Sequence, residues 1–550
     1  MSGMSGAARF GQGGGTRLPA SCPLLLFLAL ALALGGCMVG PDYRQPQVEV
    51  MNKYRFDDET SRDIAGNMWW EQFRDPVMND LIRVALDENK DIRVAAARIE
   101  EFQGRFGATR SALFPQLSGD GSAERLRSPP ITLGIPSASG LDSVRNVYQI
   151  AINANWELDI WGRIRRLTEA ARAQLFASEA VRRATILTLV SSVASSYINL
   201  LILDRQLEIA LATAAGRAET LKVFELRYEG GIISQLELAQ MQSQFETAAS
   251  AIPPLEASIG QQENAISVLL GRNPGPIRRG RALAQLELPR VAAGLPAELL
   301  ARRPDISEAE QNIVAANAQI GAARALYFPK ISLTGMLGVA STQLSNMFIG
   351  PAHLAAFGVL TSVPIFTAGG IAGQVKQAEA RREQALFNYQ RVILIAFREV
   401  EDALVALQKA REQLDVVNRR VTASRTYLEM GQLRYEEGYI SFIEVLDAQR
   451  TLFEAETTQA EVQGRVFNSL VNLYKALGGG WVVEAEDMAL GEARRMPASR
   501  LPVGAMEEDI ATPPRPLSQP LSRPISAPSP RPDVEPGTAF PPIPPETPAK

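Results

Sequence analysis

Few side chains in this 550-residue chain could carry out bond chemistry. It has one histidine, His353, and two cysteines, Cys22 and Cys37. That inventory cannot supply a zinc or haem ligand set, a Ser-His-Asp triad or more than one disulfide. A phosphate-cradling glycine loop is also missing, so neither an enzyme nor a cofactor is expected. The formal charge of −4 leaves no basic footprint for nucleic acid. What remains is acylation and charge: the thiol of Cys37, the carboxylates Glu444 and Asp447, and two sets of turn residues, Arg227, Gly231, Ser234 and Arg434, Gly438, Ser441.

Cys37 follows a segment built for export. Residues 1–36 hold two charges, Arg9 and Arg17, and an 11-residue apolar run at 24–34, too short to cross a bilayer but suited to a signal-peptide core. The run ends in Leu34, Gly35, Gly36 and Cys37, which resembles a bacterial lipobox, with Cys37 becoming the acylated N-terminus. A chain starting there carries 54 basic and 60 acidic residues, or −6. Met38 is not the aspartate associated with inner-membrane retention, which favours outer-membrane sorting. Downstream there is no run of 18 uninterrupted apolar residues. A membrane crossing after residue 37 therefore requires strands closed into a barrel, the other possibility being a lipid anchor alone.

The elements that position these residues come in two copies. Asp91-Ile92, Gly107-Ala108, Arg110 and Phe114-Pro115 recur 214 residues later as Asp305-Ile306, Gly321-Ala322, Arg324 and Phe328-Pro329. The offset then falls to 207: Gly162 matches Gly369, and LRYEGGIIS at 226–234 matches LRYEEGYIS at 433–441. Length alone, which suggests several globular domains, gives way to a tandem repeat. Each copy reads as one helix (77–113 and 296–326), two strands and two long helices. Residues 147–158 alternate apolar and polar, as in a sheet greasy on one face, and Ile331, Leu333, Leu337 and Val339 repeat the pattern. A strand at 355–363 is apolar on both sides. The seven-residue offset change falls in a Pro/Gly/Ser-rich loop at 128–141. No proline interrupts 161–252 or 365–496, so a helix over 163–227 would run roughly 100 Å. Pro253-Pro254 should break the returning helix of the first copy only.

The hairpin turns are explicit. Gly231 and Gly438 suit left-handed helix ends, Ser234 and Ser441 open the next helices, and Glu237 and Glu444 should complete two capping boxes. Arg227 and Arg434 lie in the last helical turn, where the dipole favours a cation. These features specify tight helical hairpins, with or without a docking role. Asp447 is not needed by the turn, and its counterpart is Gln240. It could pair with Arg450 as a solvated charge or, repeated in an oligomer, form an acidic ring that narrows and filters a pore. Four strands cannot close alone. Two chains give eight, with an interior filled by side chains; three give twelve and leave a lumen lined by Asp120, Glu124, Asn153 and Asn155, above a helical tube of pseudo-sixfold symmetry, the better fit for transport.

The motifs CMVGPDY at 37–43, Trp69-Trp70 with Phe73 and Asp75-Pro76, WELDIWGR at 156–163, RRPDI at 302–306, Phe328-Pro329 with LTG at 333–335, and LGGGW at 477–481 together resemble the TolC-like outer membrane efflux factors, in the OprM/NodT-type lipoprotein branch. The resemblance covers 37–481. It implies a mainly helical fold of two helix-strand-strand-long helix-long helix repeats. A homotrimer of such chains would form a 12-stranded outer-membrane β-barrel over a periplasmic α-barrel. The implied partners are a periplasmic adaptor, an inner-membrane pump of the resistance-nodulation-division type, and outer-membrane lipid. Arg227, Gly231, Ser234, Arg434, Gly438 and Ser441 would lie at the adaptor-contacting tips, and Glu444 and Asp447 at the periplasmic aperture. A type I secretion exit channel is the alternative within this class. A periplasmic adaptor lipoprotein fits less well, since it would need one hairpin and a lipoyl-like β domain. The chain then divides into a signal peptide (1–36), a lipid-anchored extended segment (37–76), two repeats (77–285 and 286–481), an extension (482–510) and a tail (511–550). The tail has 14 prolines in 40 residues and is expected to be disordered.

Overall fold

The computed structural model describes residues 38–56, 68–127, 144–289 and 296–478. All described residues belong to one compact unit. The expectations for the signal segment, Cys37, the 128–141 loop, Trp481 and the proline-rich tail lie outside the described residues.

In chain order the elements are a 3-10 turn (Trp69–Phe73), α1 (Pro76–Glu88), α2 (Lys90–Ser111), β1 (Gln116–Arg127), β2 (Val144–Leu158), α3 (Arg163–Glu229), α4 (Gln235–Ser250), α5 (Ile252–Leu269), α6 (Pro296–Arg302), α7 (Pro304–Ala325), β3 (Lys330–Ser341), β4 (His353–Ser362), α8 (Gly370–Glu436) and α9 (Phe442–Ala476). The repeat is reproduced at the level of element ends. Adding 214 to α2 and β1 gives the bounds of α7 and β3, and adding 207 to α3 gives those of α8, both helices being 67 residues long. The return arm of the first copy is split at Ala251, where Pro253 and Pro254 withhold two helical N–H donors; α9 runs through unbroken.

Two expected single helices are each divided in two. Between α1 and α2, the Asn89 side chain accepts from the amides of Asp91 (2.8 Å) and Ile92 (3.1 Å), ending one helix and capping the next. Between α6 and α7, Pro304 holds Arg303 in an extended conformation. The last strand, expected at 355–363, begins two residues earlier and ends at Ser362.

The strands form one antiparallel sheet in the order β1-β2-β3-β4, so β1 and β4 are open edges. Register sorts its faces. Ser118, Asp120, Ser122 and Glu124 share a face with Gln149, Asn153 and Asn155, and then with Ser332 and Thr334. The opposite face carries Leu117, Tyr148, Ile150, Ile152, Trp156, Leu333, Leu337, Phe357 and Val359. Ile152 and Phe357 on that apolar face are 60% and 77% exposed.

Below the sheet the helices bury a continuous core. Trp69 stacks on Tyr474 (4.9 Å between centroids) and meets Trp70 and Phe73 edge-on. The charge-free stretch of α3 that contains Ile186, Val190, Val193, Tyr197 and Leu200 packs into this core. By length and hydropathy α3 could cross a membrane, but 61% of its most apolar window is buried, as befits a core helix.

The buried Asp75 ties the N-terminal segment to this core. Its carboxylate accepts from the amides of Val77, Met78 and Arg281 and from the Tyr197 hydroxyl (3.1 Å), and that hydroxyl accepts from the Gly280 amide. Asp75→Ala strips one helix cap and orphans two further donors, so unfolding in denaturant should show a loss of about 2–4 kcal/mol, and Asp75→Asn a smaller one. A midpoint unchanged by Asp75→Ala would contradict this role.

Candidate functional site: the hairpin tips and the acidic cluster

Both long helices end in the same way. The Gly231 amide donates to the Tyr228 carbonyl (2.9 Å) and the Ile232 amide to the Arg227 carbonyl (2.8 Å); Gly438 and Tyr439 repeat this on Tyr435 and Arg434. Gly231 and Gly438 sit at φ +70° and +78°, the left-handed position such an ending requires. Each tip is therefore a defined turn. At its flank the Arg227 guanidinium donates to the Tyr435 hydroxyl (2.8 Å), and Phe442 lies against both Phe224 (4.7 Å) and Tyr435 (5.0 Å), so the two hairpins of one chain are joined near their ends.

The helix starts differ. Ser234 and Glu237 form the full capping box, the Ser234 hydroxyl accepting from the Glu237 amide and the Glu237 carboxylate accepting from the Ser234 amide (2.7 Å). The second box is absent. Ser441 has the extended backbone of an N-cap but its side chain makes no capping bond, because the Glu444 amide donates instead to the Ser441 backbone carbonyl (3.1 Å) in a tightened first turn. The Glu444 carboxylate is thereby left out of the cap and exposed.

Asp447 lies one turn further on. It pairs with Arg450 (2.8 Å), and the Tyr427 hydroxyl donates to its other oxygen at 3.4 Å. The Asp447 carboxylate raises Arg450 above its ordinary value, and desolvation followed by the charges of Asp447 and Glu444 raises Tyr427. The expected solvated pair with Arg450 is thus present within one chain. The positions matching Tyr427, Asp447 and Arg450 in the first copy are Thr220, Gln240 and Ser243, so the charged cluster belongs to the second hairpin alone.

Sequence reasoning passed over the apolar residues of the tips. Leu226, Ile232 and Leu236 are exposed at positions that map by 207 onto Leu433, Tyr439 and Ile443, and Ile232 and Tyr439 are each more than three-quarters exposed. Applying the repeat offset to exposed turn positions, rather than to glycines and caps only, would have found them.

A sheet with one apolar face and two open edges, continued into paired 67-residue helices, defines a membrane-inserted β protein with a long helical extension. The chain belongs to the outer membrane efflux protein family, whose profile matches residues 81–272 and 295–479. It is 36% identical to the solvent efflux pump outer membrane protein SrpC of Pseudomonas putida over 460 residues, 82% of this chain and 97% of that one. It is 34% identical to the cation efflux system protein CusC of Escherichia coli over 466 residues, 84% and 99% of the two chains. Among solved structures it resembles the outer-membrane channel OprN (TM-score 0.75, 29% identity, 81% of this chain and 100% of that one). It also resembles the open state of the Neisseria gonorrhoeae MtrE channel (TM-score 0.73, 31% identity, 81% and 98%). The protein is the outer-membrane channel of an efflux system, reaching into the periplasm, and is not an enzyme.

The difference between the two caps is measurable. Ser234→Ala should speed amide hydrogen exchange at the first tip by about fivefold, the equivalent of a lost cap worth about 1 kcal/mol, whereas Ser441→Ala should leave the second tip unchanged. The Glu237 carboxylate is held below its ordinary value by the Ser234 amide and then its hydroxyl, so its help to the cap is complete above pH 4.5 and fades as pH falls through the lowered value. Equal responses of the two tips would refute the asymmetry.

Proposed function

We propose that the chain is the passive exit duct of a tripartite efflux system. Three copies close a twelve-stranded barrel and a helical tube beneath it. A periplasmic adaptor seats on the hairpin tips, and an inner-membrane pump of the resistance-nodulation-division type supplies the energy. The sorting of the sheet faces carries this reading: lipid takes the Ile152 and Phe357 face, and water takes the face of Asp120, Glu124, Asn153 and Asn155. On that side Asn153 donates to Asp120 at 2.5 Å.

The adaptor meets the tips at Arg227, Gly231, Ser234, Arg434, Gly438 and Ser441, where the two glycines and the Ser234 cap set the turn shape, and the exposed pairs Ile232/Tyr439 and Leu236/Ile443 offer it apolar contact. Glu444 and Asp447 line the periplasmic aperture, where three copies of the Tyr427–Asp447–Arg450 cluster hold it narrow. Relatives are named for solvent, toluene and cation efflux, so the duct architecture serves chemically different small molecules without fixing the cargo here.

Lipidation of Cys37 fits the place where the following residues dock. The Val39 amide donates to the Trp161 carbonyl (3.1 Å), and Asn317 donates to the Pro41 carbonyl (2.8 Å). Asp42 binds the buried Arg166 (2.7 Å). These contacts hold residue 38 where strands pass into helices, so an acyl chain on Cys37 would enter the periplasmic leaflet beside the barrel.

The purified protein should migrate on a gel as a heat-resistant trimer, and Cys37→Ser should lose outer-membrane fractionation; a monomer would defeat the assembly. In planar bilayers Asp447→Ala should raise single-channel conductance severalfold by removing both the carboxylate and its hold on Arg450 and Tyr427. Unchanged conductance and gating would remove Asp447 from the aperture.

A further inference from the structure

The four strands carry seven charged side chains, and the register divides them sharply. Asp120, Glu124, Arg145, Glu157 and Lys330 all point to the polar face, where Glu157 bonds Arg163 and Lys330. Only Arg125 and Arg127 project from the apolar face, with no carboxylate beside them on it. They occupy successive outward positions about 7 Å apart.

Their depth is also fixed. The outward apolar belt runs from Leu158 and Ile331 to Tyr148 and Val339, with Trp156 near the helix end and Tyr148 at the other. Ten residue steps of a tilted strand span about 25 Å, the height of a transmembrane barrel's apolar band with aromatic residues at its borders. Arg125 pairs with Asn146 and Arg127 with Val144, the first outward positions beyond Tyr148 and on the side away from the helices. Such positions lie among the outer headgroups, where a long guanidinium side chain can leave the hydrocarbon.

Neither guanidinium has a side-chain partner among the described residues. The adjoining 128–143 connection contains one acid, Asp142, and the 342–352 connection contains no charged residue. Positive charge at this rim is therefore in excess. Paired guanidinium groups beside an apolar surface match a phosphate carried on an acyl-chain lipid, since arginine binds phosphate bidentately and the belt takes the chains.

We propose that Arg125 and Arg127 bind the phosphates of an outer-leaflet glycolipid, fixing that leaflet to the rim of the channel. The inference rests on the barrel reading, because only closure with the apolar face outward brings this face to lipid.

The full-length protein in detergent is first checked for trimers, and for conductance after reconstitution; absence of trimers would remove the barrel on which the site rests, whereas trimers without conductance count against the exit duct alone. Native mass spectrometry then compares bisphosphorylated lipid A with its dephosphorylated form, phosphatidylglycerol and inorganic phosphate. The bisphosphorylated form should be retained about tenfold more strongly than the dephosphorylated form, and Arg125→Gln/Arg127→Gln should abolish that preference with trimer and conductance intact. Equal retention of the two lipid A forms by the unaltered protein, a comparison that needs no variant, would overturn the site. So would a preference that survives in the double variant. Retention of phosphatidylglycerol as strong as that of bisphosphorylated lipid A would reduce the site to a general anionic surface and overturn the glycolipid assignment, as would full displacement by inorganic phosphate. If the glutamine variant does not assemble, Arg125→Lys/Arg127→Lys should keep part of the preference and Arg125→Lys/Arg127→Ala less; no difference between these two would also count against it.

Discussion

The structure depends on a sheet that cannot exist alone in a membrane. β1 and β4 each present a row of unpaired N–H and C=O groups, and hydrocarbon offers them no partner. The repeat shows how the edges can be met. β3 is the second copy of β1, and β4 is the second copy of β2, so a β4–β1 contact between neighbouring chains is equivalent to the β2–β3 contact already made within one. The register that pairs Ile150 with Val339 and Trp156 with Leu333 is thus a template for the missing joint. A chain that pairs its own two copies correctly has already specified how to pair with another.

The same economy holds where strands pass into helices. The N-terminal strap crosses there because two glycines allow it: a Cβ on Gly40 would collide with Gly321, and one on Gly321 would lie 2.6 Å from the Val39 carbonyl. Arg166 on α3 then grips the strap through Asp42 and the carbonyls of Val39 and Gly40. Arg303 does comparable work deeper in the core, bonding Asp305 and Glu399 and donating to the Ala476 carbonyl at the end of α9. Burial acts against its charge, and the two carboxylates more than offset that. Buried ions of this kind add little net stability, but removing one partner is costly, so they fix which helix meets which.

Much of this was legible in the sequence because periodicity and repetition are long-range signals. Residues 226–234 and 433–441 share enough side chains to fix an offset of 207, and with it the ends of both 67-residue helices. The two-residue alternation from Val147 to Leu158 likewise fixed the faces of β2. The misses were local competitions. Asn89 could have faced solvent inside a helix, and whether its side chain caps the next one depends on the tertiary path of the chain. Ser441 sits in the same motif as Ser234, yet a backbone carbonyl takes the amide its hydroxyl would have accepted. The strap was invisible because Gly40 and Asp42 lie over a hundred residues from Arg166 and carry no periodic signal.

Duplication also explains where the two halves were free to diverge. Along the helical shafts the copies keep their lengths, α3 and α8 being 67 residues each. At the tips the constraint is confined to the turn itself, and there the second hairpin carries Tyr427, Asp447 and Arg450 where the first has Thr220, Gln240 and Ser243. Thr220 turns back to the carbonyl of Gly216 in its own helix, whereas Tyr427 reaches across to α9. In the proposed trimer the pseudo-sixfold tube would therefore be only threefold at the level of Asp447, where the first hairpins carry Gln240, while Glu237 and Glu444 keep an acid on every hairpin one turn nearer the tip. A ring of six identical acids would place like charges on adjacent hairpins and oppose closure. At the Asp447 level Gln240 on the intervening hairpin separates them, and pairing each Asp447 with an Arg450 reduces the repulsion further. In the proposed assembly, divergence between the copies would thus halve the acids at the Asp447 level, while the barrel above needs only the features the two copies share.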